Sequence, residues 1–458
     1  MVDARTPLLG RHREDDVVAH GRPARRAGHL RADVHALAAR LPDARTDGSA
    51  AREVVLVCHD RYRFTVALLA AWSRGLSVAL PPNAQPSTVT ALRRHDAVHT
   101  VLHDVDGMAG LDVRTVLDEG VGRGGESTRE PSAAGLEIFG ARPLDPGFRA
   151  VVVYTSGTTG EPLACPKTLG QLLSEAHCLT RTFEVGPGFR VCATVPPHHI
   201  YGLLFSVLVP LVSGASFTRE TMLHAEPLAA LLDRDGATVL VSVPAHLRAL
   251  RVLPANRLPA MKRVFSSGAP LPAETAQDLA ARFAWTCTEV LGSSETGGLA
   301  WRDTPDAAWT PLEGVRITTA HDGRMEVDSA FLDPDAARPY VSFDRIEPTP
   351  DGRFHHLGRA DGVVKIGSTR ISVPELEARL LAIPGVHDAA VIAVEVGGAR
   401  GFECWAVVVG ARHTPASLRE ALLPWLDAVV IPRRFRFVDA LPREAHGKLR
   451  RAALRALF

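Results

Sequence analysis

Strand, helix and strand follow one another at short intervals early in this chain, and that order constrains the fold more than any other feature. "EVVLVC" (53–58), mostly apolar, has the length of a short buried strand. "RFTVALLAAWSRG" (63–75) is long enough for a helix and stops at Gly75. "LSVALPPN" (76–83) is a second short apolar run that ends in a turn. Two strands joined through a helix run parallel, because a tight hairpin cannot connect parallel neighbours. Before this unit, "HLRADVHALAARL" sets Leu30, Val34, Leu37 and Leu41 on one helical face. From "FRAVVVY" onward apolar strands again alternate with helices, through "LLSEAHCLTRTF", "FSVLVPLVSGASF", "PLAALLDRDGATVLVSVPAHL" and "KRVFSSG". The expected class is α/β as far as about residue 300, with a β-rich piece in "GVRITTAHDGRMEVDSAF".

The last hundred residues change character. "PELEARLLAIPGV", "DAAVIAVEV", "FECWAVVVG", "SLREALLPWL" and "RRFRFVDALP" alternate in short units, the pattern of a small α+β module. The turn in "LGRADG" (357–362) marks the change and divides the chain into domains 1–357 and 358–458. Residues 121–146, rich in Gly, Glu, Ser and Pro, are expected to form a surface connection.

Composition excludes several classes of function. A net charge of +1 over 458 residues gives no global field to recruit nucleic acid or an anionic membrane. No apolar run approaches the roughly 20 residues of a membrane span. The first residues lack the apolar core of a signal peptide. Six cysteines without a C-x-x-C pair favour reduced, buried thiols and a cytoplasmic location over disulfides or a zinc site.

Only four of the 52 basic side chains are lysine: Lys167, Lys262, Lys365 and Lys448. Where arginine is so general, a retained lysine points to a need for a compact, flexible ammonium. Lys167 closes "VVVYTSGTTGEPLACPKT" (151–168), in which Thr155, Ser156, Gly157, Thr158, Thr159 and Gly160 follow an apolar strand. Successive NH groups and hydroxyls on such a bend can form an anion-binding concavity. A Walker A loop needs lysine directly after its last glycine, and Glu161 stands there, so a P-loop NTPase is disfavoured. Taken alone, the loop reads equally well as a polar turn. "LGSSETGG" (291–298) adds Glu295 in a second Gly/Ser turn, suited to a hard cation. "FHHLGRADGVVKIGSTRI" (354–371) carries Arg359, Asp361 and Lys365, and "LPREAHGKLRR" (441–451) carries Lys448.

Four such elements in this order resemble the adenylate-forming superfamily of acyl- and aryl-CoA synthetases, nonribosomal-peptide adenylation domains and beetle luciferase. The likeness runs from "VALLAAWSRGLSVALPPN" to "GKLRR". It implies a large N-terminal domain and a small mobile C-terminal domain that carries the catalytic lysine. It also implies a two-step reaction: ATP and Mg²⁺ convert a small carboxylic acid to its acyl-adenylate, and the thiol of CoA or of a carrier-protein phosphopantetheine then displaces AMP. By resemblance Thr155 to Gly160 grip the β- and γ-phosphates; with the usual lysine position taken by Leu163, the loop either leans on Lys167 instead or runs with less charge. Ser294 reaches the α-phosphate and Glu295 holds the metal. Gly268, Ala269, Pro270, Leu291, Gly292 and Ser293 line the adenine, and Asp344 and Arg359 hold the ribose. Lys448 bridges carboxylate and phosphate, Asp361 is the hinge, and Lys365 turns inward for the second step. Such a swing is ordinary hinge behaviour.

The chain departs from the family pattern at Leu163, where a phosphate-loop lysine is usual, at Leu291, where an aromatic is usual, at Ser368, and in "SFD" before the ribose aspartate. "PPHHIYGLL" (196–204) resembles the acyl-pocket motif, with His199, Tyr201 and Gly202 lining the pocket and His199 beside the carboxylate; a histidine packed at a helix start is the plainer alternative. The apolar "FSVLVPLV" offers no acid to pair with a substrate ammonium, which favours an aryl or acyl acid over an amino acid. A stand-alone ligase of secondary metabolism is thus expected, acting on CoA or an acyl carrier protein. A non-catalytic nucleotide or acyl-AMP binder and an amino-acid-activating enzyme are the alternatives.

Overall fold

The computed structural model describes residues 8, 11–44, 52–82, 84, 86–94, 97–118, 145–155, 163–305, 307–333, 335–359, 363–366, 369–397, 401–410, 413–424, 426, 428–444 and 449–458. The chain forms two compact units. One comprises Met1–Ala307, Pro311–Val315 and Ser329–Ala337; the other comprises Ala308–Thr310, Arg316–Asp328 and Arg338–Phe458.

Two mixed sheets build the first unit. In the six-stranded sheet the spatial order is Leu111–Asp112, Val98–His103, Glu53–Val57, Ser77–Leu80, Arg149–Thr155 and Leu163–Thr168. Glu53–Val57 and Ser77–Leu80 pair in parallel across the helix Arg61–Ser73, as the opening alternation requires. Asp60 starts that helix by accepting the Arg63 N–H at 3.0 Å, which satisfies one of the donors left open at a helix N-terminus. Only the last pair, Arg149–Thr155 with Leu163–Thr168, is antiparallel, so the Ser/Thr/Gly loop joins the two strands of a hairpin.

The nine-stranded sheet has the same design. Through its middle, Cys287–Ser293, Arg263–Ser266, Val239–Ser242, Arg190–Ala193 and Ser216–Thr218 lie side by side, all parallel. Gly297–Arg302 then returns antiparallel to Cys287–Ser293, so "SSET" forms the turn of a second hairpin. The segment "IYGLLFSVLVPLVS" is helical: Ile200–Leu203 and Val209–Ser213 are α-helical, with one π-turn at Leu204–Leu208 between them. The Ser206 hydroxyl donates to the Gly202 carbonyl at 2.7 Å, and Pro210 has no N–H to give to Ser206. Both features loosen the α-register, and Val209 N–H bonds Leu204 instead.

A buried arginine joins the two sheets. Arg61, fully buried at the start of its helix, donates from Nε to Ser206 Oγ (3.0 Å). From Nη1 it donates to the carbonyls of Thr218 (2.6 Å) and Glu220 (3.2 Å). From Nη2 it donates to the carbonyls of Ala193 (3.3 Å) and Val195 (3.2 Å) and to Thr221 Oγ1 (3.0 Å). Burial lowers the guanidinium to about 10, which leaves it charged at neutral pH. Its acceptors flank the "PPHHIYG" segment on both sides, so it also fixes where that segment leaves the sheet.

The second unit contains a four-stranded antiparallel sheet, Arg316–Thr319, Arg324–Asp328, Tyr340–Pro348 and Phe354–Arg359. It also contains a three-stranded sheet, Asp388–Gly397, Gly401–Val409 and Arg434–Phe437. Helices Val373–Leu381 and Pro415–Leu422 accompany the latter, with Leu376, Leu380, Leu418 and Leu422 in its core, the α+β module expected of the last hundred residues.

Arg61→Met, which leaves several buried carbonyls without a donor, is expected to lower unfolding free energy by about 3 kcal/mol. A shift of the urea midpoint at constant slope checks it; an unchanged midpoint would show that the arginine is dispensable.

Candidate active site

In the first unit the motifs line up along one edge. The parallel strands Arg190–Ala193, Val239–Ser242, Arg263–Ser266 and Cys287–Ser293 are sheet neighbours. The acyl-pocket segment follows the first strand, "SSGAPL" the third and "SSET" the fourth. Ligands of open α/β sheets bind outside the carboxyl ends of the strands.

The "SSGAPL" turn is exposed at its tip and anchored at its base. Gly268, Ala269 and Pro270 are exposed, and Gly268 turns the chain at φ +85°. Underneath, Ser267 Oγ donates to the Val290 carbonyl (2.8 Å), and Leu271 N–H donates to Glu289 Oε2 (3.2 Å). Buried Glu289 also pairs with Arg302 at 2.9 Å, which satisfies its charge. Leu291 lies half-buried in the same hairpin opposite Ala300.

The turn that follows is fixed with unusual completeness. Ser293 N–H donates to Thr296 Oγ1 (3.2 Å), Thr296 N–H donates to Ser293 Oγ (3.2 Å), and the two hydroxyls lie 3.0 Å apart. Ser294 and Glu295 are thereby left half-exposed at the tip, while Thr296, Gly297 and Gly298 are buried. A Cβ on Gly292 would stand 2.5 Å from the Gly297 carbonyl oxygen, so only glycine fits there. Gly297, at φ +71°, would bring a Cβ within 2.6 Å of Glu175 Oε2.

Glu175 and Lys167 support this turn from beneath. The sequence predicts a phosphate contact for Lys167. In the structure the residue is 2% exposed, and Nζ donates to the main-chain carbonyls of Glu295 (2.9 Å) and Phe331 (3.0 Å). Desolvation lowers its pKa, against the pull of nearby Glu175. Glu175, equally buried in the helix Leu169–Thr182, accepts the Gly298 N–H at 2.6 Å, and burial pushes its carboxyl up to about 7. Thr168 and Gln171 cap that helix reciprocally, directly after Lys167. Sequence reasoning missed Glu175. Its signal is an acid on the apolar stripe formed by Leu172, Ala176 and Leu179.

In the acyl segment His199 is half-buried at the N-cap of Ile200–Leu203, its ring 4.4 Å from that of His198. The plainer alternative, a histidine at a helix start, describes its position. Gly202 is buried, and a Cβ there would lie 2.1 Å from the Pro196 carbonyl oxygen. It therefore serves close packing of the helix on "PPHH" rather than acting as an open pocket surface. The Tyr201 ring packs on Phe205 at 5.0 Å, and Phe205, Phe183 and Phe265 form a cluster that Trp301 joins through Phe183.

In the second unit Asp344 and Arg359 are directly opposed in the ladder between Tyr340–Pro348 and Phe354–Arg359. The Asp344 carboxylate lies 2.9 Å from His356 Nε2 and 3.2 Å from Ser342 Oγ. Lys365 lies on the strand Val363–Ile366, opposite Arg370. Ser156, Gly157, Thr158, Thr159, Gly160, Asp361, Ser368 and Lys448 lie outside the described residues, as does most of the 121–146 connection; Thr155 ends the described strand before the loop.

Among the described residues no group of three His, Cys, Asp or Glu side chains could cage a metal. A single carboxylate at Glu295 fits Mg²⁺, which commonly takes its remaining ligands from substrate phosphates and water. Such an ion, when bound, offsets phosphate charge.

Comparison with known proteins gives the family. Residues 26–322 match the model of the AMP-binding enzyme family, and residues 375–448 match that of the AMP-binding enzyme C-terminal domain. The 4-coumarate–CoA ligase of Rhodobacter capsulatus is 34% identical over 308 residues, covering 65% of this chain and 74% of that protein. The L-proline–[L-prolyl-carrier protein] ligase of Pseudomonas fluorescens is 26% identical and covers 77% of each. Among solved structures, an ATP-bound RpMatB-BxBclM chimera superposes with a TM-score of 0.81 at 22% identity over 98% of both chains, a likeness of fold. The chain belongs to the AMP-binding enzyme family. It is an AMP-forming acid–thiol ligase: with ATP and Mg²⁺ it converts a carboxylic acid to an acyl-adenylate and passes the acyl group to the thiol of CoA or a carrier protein. No helix among the described residues is long and apolar enough to cross a membrane.

Glu175 makes one aspect of stability pH-dependent. Its folded pKa of about 7 exceeds its ordinary value of 4.5, so the folded chain binds the proton more tightly than the unfolded one. This contribution is full below 4.5 and is lost as pH rises through 7. Glu175→Gln should therefore flatten the decline in melting temperature between about pH 5 and 7.5; an unchanged slope would contradict the assignment.

Proposed function

We propose that the acid is an aryl carboxylic acid, accommodated between the His199 segment and the Phe205 cluster. The observation that carries this reading is the arrangement of successive strand ends, with the acyl segment, "SSGAPL" and "SSET" emerging from one sheet edge. The aromatic rings behind Tyr201 and Phe205 suit a flat apolar ring. Ile200–Ser213 contains no Asp or Glu to pair with the ammonium of an amino acid.

In this reading the Thr155–Gly160 loop takes the β- and γ-phosphates, Ser294 the α-phosphate and Glu295 the magnesium. Gly268, Ala269, Pro270, Leu291, Gly292 and Ser293 face the adenine, and Asp344 with Arg359 the ribose. His199 and Tyr201 contact the acid. The carboxylate oxygen attacks the α-phosphorus as pyrophosphate leaves, and Lys448 stabilises the charge shared between the two anions. The domain 358–458 then turns about Asp361 to bring Lys365 to the site. There the thiol sulfur attacks the acyl carbon and AMP departs, with CoA or the phosphopantetheine of an acyl carrier protein as acceptor. The described cysteines are all free and buried, as suits a cytoplasmic enzyme.

Pyrophosphate exchange across benzoates, hydroxybenzoates, cinnamates and fatty acids tests the substrate class, with thioester formation on CoA and carrier protein as the second readout. Aryl acids are expected to exchange at least about tenfold faster than fatty acids of similar size; the reverse order would overturn the aryl reading. Lys448→Ala should lower exchange by about 100-fold or more while sparing attack by thiol on supplied acyl-adenylate.

A further inference from the structure

Lys167 and Glu175 are ionisable, almost completely buried, and unused by the reaction as derived above. Both are committed to the same structure from the same side. Lys167 leaves the return strand of the phosphate-loop hairpin and holds the main-chain carbonyl of Glu295 itself. Glu175, two helical turns beyond, holds the N–H of Gly298. The Phe331 carbonyl, which shares the Lys167 ammonium, also accepts from Gln171 Nε2 at 3.4 Å, so the cation is held in a fixed setting. Each bond pairs a main-chain group with an ionisable side chain, a class stronger than neutral pairs when the side chain is charged.

We propose that Lys167 and Glu175 are positioning residues for the adenylation step: Lys167 holds the Glu295 carbonyl in the "SSET" turn and Glu175 holds the Gly298 N–H on its return strand, so that Ser294 and Glu295 are presented in a fixed arrangement. This rests on the reading that Ser294 faces the α-phosphate and Glu295 the magnesium. The lysine acts through a backbone carbonyl and touches no substrate. Its four-carbon stem reaches the Glu295 carbonyl within a closed interior, where the bulkier, planar guanidinium of arginine is not an equivalent replacement. That accounts for a lysine at 167 in a chain where only four of the 52 basic side chains are lysine.

The test compares Lys167→Met, Lys167→Arg, Glu175→Met and Glu175→Gln, with Glu295→Gln as reference. Calorimetry measures ATP affinity with and without Mg²⁺, and adenosine affinity as a control; pyrophosphate exchange gives the half-saturating Mg²⁺ concentration. Lys167→Met and Glu175→Met should each lose about tenfold of the Mg²⁺-dependent gain in ATP affinity and raise half-saturating Mg²⁺ correspondingly, with adenosine affinity changed less than about twofold. Lys167→Arg should not restore the gain. Glu175→Gln, which keeps an acceptor for Gly298, should fall between wild type and Glu175→Met. An intact Mg²⁺-dependent gain in either Met variant, or an equal loss of adenosine binding, overturns the proposal. If one Met variant does not fold, the other decides. If Glu295→Gln itself leaves the Mg²⁺ dependence unchanged, the reading of the turn has failed; if it alone shifts, the positioning inference has.

Discussion

The ammonium of Lys167 is the contact on which the placing of the "SSET" turn depends. Each of the two mixed sheets of the first unit contains an antiparallel hairpin, one of Arg149–Thr155 with Leu163–Thr168 and one around "SSET". Lys167 belongs to the first hairpin and bonds the tip of the second at 2.9 Å, joining elements 128 residues apart in sequence. Removing a cation from water is costly, and two carbonyls with a carboxylate nearby compensate it. The arrangement is demanding in shape: Gly292 and Gly297 leave room for no side chain, and the Ser293–Thr296 bonds close the turn from within.

The "PPHHIYG" segment is set by a different buried cation. Arg61 bonds main-chain carbonyls on both flanks of the "PPHHIYG" segment and the hydroxyl of Ser206 in the π-turn. Gly202 presses the following helix onto Pro196. The pocket segment is thus suspended between an arginine behind it and an aromatic cluster beside it, and neither depends on substrate. Both segments are thus held by interior polar contacts, the kind of preorganisation by which a fold keeps donors in place without reorganisation.

Much of this was legible in the residues. Strand–helix alternation is a local pattern and gave the α/β class, the parallel pairing of Glu53–Val57 with Ser77–Leu80, and the small α+β module. The motifs of the phosphate loop, the "SSET" turn and the hinge are short and contiguous, and carried the family. The supports beneath them are neither. The partners of Lys167 and Arg61 lie more than a hundred residues away, and periodicity carries no information about them. Lys167 therefore reads as a phosphate ligand in sequence and as a buried strut in the fold. The π-turn likewise depends on a serine hydroxyl and a proline acting together within an apolar run that reads as strand or helix with equal ease.

Hydrogen exchange in the absence of nucleotide tests the buried support most directly. The Gly298 amide, bonded to a buried carboxylate, should exchange slowly although it directly follows a surface turn, and peptides spanning 292–299 should lose that protection in Glu175→Met and Lys167→Met. Exchange of this peptide at the rate of exposed turns in the wild-type protein would contradict a turn fixed from beneath.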